Sequence, residues 1–548
     1  MHTKMKKKFR ISGLVLCIVL FISSCNTLDP IPTDNYTDAT FWQTTENAEL
    51  VVNMAYNQMY SADKMWNDEA LSDNIFEGRT NTDARAIRNG IADPTLGRFA
   101  SEWSQAYGGL KTCHIFMENV DRVPNVSEAW KERRIAEIRF IRAYIYFRLV
   151  NFYGDVPFFT KDITLDESAT LPRTSKATVL AFIHNELDEI ADVLPSKNEL
   201  PSTDNGRITK GAAVALQARA YLYEGNWAKV VDYTDRLINQ QGTYGNYGLF
   251  SSYKGLFEAA NEYNEEVILD YSYVPSLKMW GKLYDAAPLS AGARLNAYAP
   301  LQSLVDSYWT NTGQSISQNP NYSEDNPYVN RDPRLDATVV YHGSQWTDFD
   351  GQTRTIYTKP GTGSNSQERM DVYSGPSANA SPTGYYIKKY YDRTATQTFD
   401  AGLNIIMIRY ADILLMHAEA KHELGQFDAT LWNQTIRPIR ERAWLTASSA
   451  LNYPSTINGT EMKELIRNER RIELALEGLR YYDIIRWKAG KTYLDGTIYG
   501  AKFADGNTSY IRLDTRRFDE NRDYLWSLPQ SQMDLNKNLL PNNPGHAN

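Results

Sequence analysis

Cys25 carries the clearest chemical assignment in the chain. It closes Phe21-Ile22-Ser23-Ser24-Cys25, where small residues precede a cysteine behind a basic and then an apolar stretch. That spacing is the bacterial lipobox pattern, in which the cysteine sulfur takes a diacylglycerol and the freed amine a further acyl chain. Lys4, Lys6, Lys7, Lys8 and Arg10 form the basic stretch, and Ile11 to Ile22 is a 12-residue apolar run. A membrane-spanning helix needs ~20 residues, so residues 1–24 read as a cleaved signal peptide. Several acyl chains, at ~0.8 kcal/mol per buried CH₂, would hold the remainder on a membrane.

The other reactive side chains point away from catalysis. His417 and His422 are five residues apart, whereas a zinc-protease helix requires H-E-x-x-H. They read as ordinary helix residues, and no metal or cofactor is expected. Cys113, in Leu110-Lys111-Thr112-Cys113-His114, reads as a buried, inert thiol. With Cys25 acylated, it has no disulfide partner. The chain contains no phosphate loop, no G-x-S-x-G elbow and no C-x-x-C pair. Glycoside hydrolysis needs only two carboxylates across a cleft, and no local pattern singles out such a pair among 66 acids. Arg467-Asn468-Glu469-Arg470-Arg471-Ile472-Glu473 reads as a helix carrying acid–arginine pairs at i,i+3 and i,i+4 that tie helices together. Arg331-Asp332-Pro333-Arg334 reads as a loop-fixing cluster.

The formal net charge of the 548 residues is −8. Removing residues 1–24 takes five basic residues and no acid, leaving 53 basic against 66 acidic, a net charge of −13. Such a balance argues against a nucleic-acid partner, which needs a basic surface. The 36 Tyr and 12 Trp, with Asn and Gly in long loops, suit neutral, hydroxyl-rich molecules. Sugar C–H faces stack on rings and hydroxyls pair with Asn, Asp and Arg, although most of these rings are expected to pack helices together.

The patterning predicts a mostly α fold with a large loop-rich insertion containing short strands. Residues 25–40 read as a lipidated tether, extended by Pro30 and Pro32. Residues 41–240 and 401–548 read as helical regions, and 241–400 as a loop-rich ligand surface. Helices are predicted from Thr44 through Met59, then over about 100–119, 128–151, 176–194, 208–225, 227–239 and 460–477. Residues 61–99 read as polar and irregular. The clearest helix, 128–151, carries the stripe Ile138, Ile141, Ile145 and Leu149. Ala220-Tyr221-Leu222-Tyr223-Glu224-Gly225-Asn226-Trp227-Ala228 reads like a tetratricopeptide hairpin, and the pattern returns near 411–442. Val339-Val340-Tyr341 and Tyr385 to Tyr390 are strand-like.

An ordered set of segments resembles the SusD/RagB family of outer-membrane glycan-binding lipoproteins. It includes Thr40-Phe41-Trp42, Ala136 to Phe147 with Tyr153-Gly154-Asp155-Val156-Pro157, and Arg331-Asp332-Pro333-Arg334. It continues with Arg409 to Ala420, Glu469 to Gly478 with Arg480 to Trp487, and Leu525-Trp526-Ser527-Leu528-Pro529. The resemblance runs from residue 25 to 546. It implies an α-helical body of four tetratricopeptide-like helix pairs and a non-catalytic role. It further implies an outward-facing lid on a TonB-dependent, SusC-like transporter in the outer membrane, delivering oligosaccharides to it. Acids just after the lipidated cysteine, frequent in exported relatives, are here reduced to Asp29. Family ligand residues have no fixed motif, but the loops at 61–99 and 250–300 occupy its usual ligand-lining regions. Within them Trp66, Asn74, Arg79, Trp280 and Tyr284 are the glycan-binding candidates. Two competing readings are a peptide-binding tetratricopeptide-like scaffold and a surface glycoside hydrolase.

Overall fold

The computed structural model describes residues 38–78, 82–503 and 509–548. Cys25 and Arg79 therefore lie outside the described residues. The helix Asp38–Phe41 already includes the last residues of the expected tether.

The first long helix, α1 (Thr45–Met59), begins where the Thr44 side chain accepts the Asn47 N–H. Its buried face is Ala48, Val51, Val52, Ala55 and Met59, at helical spacing. The stretch read as irregular contains three elements: α2 (Ala62–Glu69), strand β1 (Ile75–Glu77) and the helix Asp83–Arg88. Two of them are opened by hydroxyl caps, with Ser61 accepting the Lys64 N–H and Thr82 accepting the Arg85 N–H. Then come α3 (Gly97–Asn119), α4 (Glu128–Tyr153) and α5 (Lys176–Ala191). The predicted tetratricopeptide hairpin is α6 (Lys210–Glu224) and α7 (Trp227–Asn239), turned by Gly225 at φ +72°.

Strands β2 (Val267–Tyr271), β3 (Tyr298–Pro300) and β4 (Ile405–Arg409) lie in or beside the insertion. The C-terminal helices are α8 (Tyr410–Glu423), α9 (Ile436–Arg442), α10 (Gly459–Glu473) and α11 (Arg480–Arg486). In space α3 packs on α4, α4 on α5, α5 on α6, α6 on α7, α7 on α8 and α8 on α10. The helical array is thus continuous between α7 and α8, and residues 240–409 are spliced into it as a side excursion. This is the mostly α scaffold with a loop-rich insertion that the patterning implies. All six strand ladders among the described residues are two-stranded and antiparallel. The two strand-like runs of the insertion pair with each other, Val339–Val340 against Tyr386–Ile387.

Buried ion pairs join these elements. Of the charge run on α10, Arg467 pairs along its own helix with Glu464 at i,i+3 as expected, whereas the rest reaches outward. Arg470 binds Asp412 of α8 and Asp483 of α11. Asp412 in turn takes Arg219 of α6 at 2.6 Å. Glu473 holds Arg334 at 2.9 Å and Arg409 at 2.6 Å, and also Arg442. Arg334 also pairs with Asp332 at 2.8 Å and Glu469 at 2.7 Å, so the loop cluster is fixed against α10. Arg331 donates to backbone carbonyls, those of Tyr308 at 2.8 Å and Pro327 at 2.6 Å, and lies 5.6 Å from the Tyr322 ring centroid.

α10 stops at Glu473, four residues before the expected end. Leu476 and Gly478 both take positive φ, +64° and +75°. The turn is captured by Glu69 at the end of α2, whose buried carboxylate accepts the Gly478 N–H at 2.9 Å and the Leu476 N–H at 3.3 Å. A Cβ at position 478 would sit 3.0 Å from the Tyr60 hydroxyl, so glycine meets both the dihedral and the space.

Candidate ligand-binding cleft

The two loop regions singled out in the sequence meet. β1 pairs with β3, placing Glu77 opposite Tyr298. Lys282 reaches Asp63 at 2.9 Å and lies 5.6 Å from the Tyr298 ring centroid. The Ala62 N–H donates to the Tyr273 hydroxyl at 2.8 Å. Beside this seam opens a cavity of about 360 Å³, within the range of small-ligand sites.

Its walls come from three helices whose N-terminal ends converge here. Ser61, Asp63, Lys64 and Asn67 come from α2 and its cap, Asp83 from the helix Asp83–Arg88, and Arg98, Ser101 and Gln105 from α3. Below, the charges are internally balanced. Arg148 bridges Asp68 at 2.6 Å and Glu102 at 3.0 Å, and Arg98 binds Asp68 at 2.8 Å. The Lys64 amine donates to the Gln58 carbonyl at 3.3 Å. Burial, assisted by the neighbouring Arg148, pushes its pKa down to about 8 against the pull of Glu102 and Asp68. Glu77 and Asp83 line the same cavity and form no ion pair or side-chain hydrogen bond among the described residues. Unpaired carboxylates beside amides, hydroxyls and an amine form an array that can bind neighbouring hydroxyl groups of a polyol.

The individual residues named from the sequence fare differently. Trp66 is 1% exposed and packs in the core, so it presents no face to a ligand. Asn74 is fully buried; its amide donates to Glu69 at 2.7 Å and accepts from Arg471 at 2.9 Å, which uses it up structurally. Trp280 is 7% exposed, its indole N–H donates to the Leu403 carbonyl at 2.7 Å, and its backbone bridges Ala401. It is a core ring in a loop-like stretch. Tyr284 is half-buried, its ring 6.3 Å from Phe399 and 5.4 Å from the Arg294 guanidinium. It keeps a partly open face. Asp63, Glu77 and Asp83 were missed. The Ser61 and Thr82 caps were the available signal, because they mark helix starts in a stretch read as irregular.

Two other reactive residues have structural places. Cys113 is buried, and burial pushes its thiol pKa up to about 12. His417 is wedged between α7 and α8, its Nδ1 2.8 Å from the Thr234 hydroxyl.

Comparisons with known proteins agree with this frame. The family model described as "SusD family" matches residues 261–546, and one described as "Starch-binding associating with outer membrane" matches 31–222. The SusD-like protein P2 of Formosa agariphila is 26% identical over 98% of this chain and 100% of its own length. The starch-binding protein SusD of Bacteroides thetaiotaomicron is 25% identical over 77% of this chain and 75% of its own. A solved SusD-like carbohydrate binding protein from Bacteroides fragilis superposes with a TM-score of 0.82 at 27% identity, covering 91% of this chain and all of that one. With one family model covering more than half of the chain and the fold shared along nearly all of it, the chain belongs to the SusD/RagB family.

Proposed function

We propose that this protein binds oligosaccharides at the outer membrane and hands them, uncleaved, to a TonB-dependent transporter of the SusC type. The observation that carries the reading is the cleft at the seam of α2, α3 and β1. Its unpaired carboxylates and amides are suited to hydroxyl groups, and it lies in a chain of SusD/RagB fold. The carbohydrate-binding and starch-binding descriptions of its relatives support the same ligand class. On this reading residues 1–24 are removed, Cys25 is acylated, and the tether lets the body hinge over the transporter from outside. Within the cleft Asp63, Glu77 and Asp83 accept sugar hydroxyls and Lys64 donates; Tyr284, outside the cleft lining, is proposed as a further contact.

The test is calorimetric titration of the purified mature chain with neutral oligosaccharides, followed by product analysis after long incubation. Saturable binding with intact glycan supports the reading. Enzyme-dependent cleavage would replace it with a glycosidase, and absence of binding across malto-, laminari-, xylo- and manno-oligosaccharides would reject a glycan role.

A further inference from the structure

A second cavity, of about 410 Å³, lies in the insertion between residues 254–260, 336–347 and 388–394, and shares no lining residue with the first. Its floor is aromatic. Trp346 is buried and Tyr391 half-buried, with ring centroids 4.2 Å apart and planes inclined by 34°. Tyr390 takes φ +66°, a left-handed conformation unusual for an aromatic residue. That twist sends two consecutive rings to different neighbours. Tyr390 packs on Phe257 at 4.9 Å and Trp280 at 6.2 Å, while Tyr391 lies against Trp346 and Phe349 at the cavity.

The rim has the opposite chemistry. Lys254, Glu258 and Arg393 are exposed and form no ion pair or side-chain hydrogen bond among the described residues. Asp336 is held by Lys388 at 3.2 Å, and Gln345 stands exposed beside them. Among the lining residues, Lys254, Lys388, Lys389 and Arg393 face Glu258, Asp336 and Asp392, a nearly balanced set. Of the four cations, Lys389 is spent internally on Glu477 at 2.7 Å. A polyanion would require a clear cationic excess, and an apolar peptide or lipid would leave the unpaired rim charges desolvated. A pyranose fits both parts, with its C–H face over Tyr391 and its hydroxyls on the rim.

We propose that this cavity is a second glycan-binding site, centred on Tyr391 and served by Glu258, Arg393 and Gln345. The inference rests on the glycan-binding reading but on separate residues. Two sites on one chain would let a polysaccharide engage both, raising its apparent affinity about a hundredfold over a short oligomer.

The experiment titrates hexasaccharides of the neutral series, and then the matching polysaccharide, into four proteins. These are the parent, Tyr391→Ala, the surface pair Glu258→Ala with Arg393→Ala, and the cleft pair Glu77→Ala with Asp83→Ala. The rim pair removes exposed, unpaired side chains, so it retains the parental melting temperature even if Tyr391→Ala does not. The parent is expected to bind two equivalents of hexasaccharide, and each site's variants one. Both insertion variants should lose most of the polysaccharide advantage. A parent that binds a single equivalent, abolished by the cleft pair and untouched by the rim pair, overturns the second site and leaves the first reading standing. A parent that binds no glycan overturns both.

Discussion

Arg409, the last residue of β4, and Glu473, the last residue of α10, meet at 2.6 Å with both side chains sealed from water. Burial alone would raise the Glu473 carboxyl, but Arg442, Arg409 and Arg334 outweigh it and hold it well below the usual carboxylate range. Removing one partner from such a cluster leaves buried charge uncompensated. Glu473→Ala should therefore cost about 3–5 kcal/mol, read from urea unfolding. A loss below about 1 kcal/mol would mean that the cluster relaxes or takes in water, and that it does not fasten the insertion to α10.

Asp73 supplies a pH signature. Burial tends to raise its carboxyl, yet Arg471 at 2.9 Å and Arg480 at 2.8 Å bring it down to about 2. Its unfolded value is near 4. The folded pKa is depressed, so this stabilisation is complete above about pH 4 and lost as pH falls toward 2. The difference corresponds to roughly 2–3 kcal/mol at neutral pH. Asp73→Asn should be less stable than the parent at pH 7, with the gap closing through the acid limb. Unfolding curves from pH 2 to 7 check this, and a gap independent of pH would contradict it.

Trp280 and Asp83 should separate stability from binding. Trp280→Ala removes a buried ring with a satisfied indole and should cost about 3–5 kcal/mol of stability, with little change in glycan affinity below the new melting point. Asp83→Ala touches a half-buried, unpaired first-turn acid and should cost less than about 1 kcal/mol. It should also weaken binding about tenfold or more, as loss of a charge-assisted hydrogen bond does. Paired melting and affinity measurements decide it. The opposite pattern would move the site from the cleft to the Trp280 loop.

The anchor is tested at Cys25. Cys25→Ala should shift the protein from the membrane fraction to the soluble fraction in cells lacking the partner transporter. No helix among the described residues is long and apolar enough to cross a membrane. Retention of the variant in the membrane fraction would point to an attachment other than the lipid.

Long periodic segments were readable in advance because one physical cue governed them. The stripe Ile138, Ile141, Ile145 and Leu149 is buried along α4, and Gly225 turns α6 into α7. Short elements were not. Ala62–Glu69 spans barely two turns, too few for a period to emerge, and only its Ser61 cap announced it. The site suffered more, because exposure depends on pairing distant in sequence. Trp280 sits among Gly, Ser and Pro, yet Leu403 and Ala401, more than a hundred residues on, enclose it. The α10 charge run was correctly read as binding helices together, but its partners lie on β4, α8 and α9, which no local spacing encodes.

The grip of Glu69 on the Leu476 and Gly478 amides joins residues more than 400 positions apart. Its carboxylate forms no ion pair among the described residues and otherwise takes only the Asn74 amide, so until that turn arrives part of it must stay hydrated. The N-terminal helices complete this contact only once Leu476 and Gly478 are in place. Closing a loop of that length carries an entropic cost that delays it. A chain emerging N-terminus first would remain loosely structured, and open to chaperones, for most of its passage. Truncation anywhere before Gly478 should then yield no native subdomain.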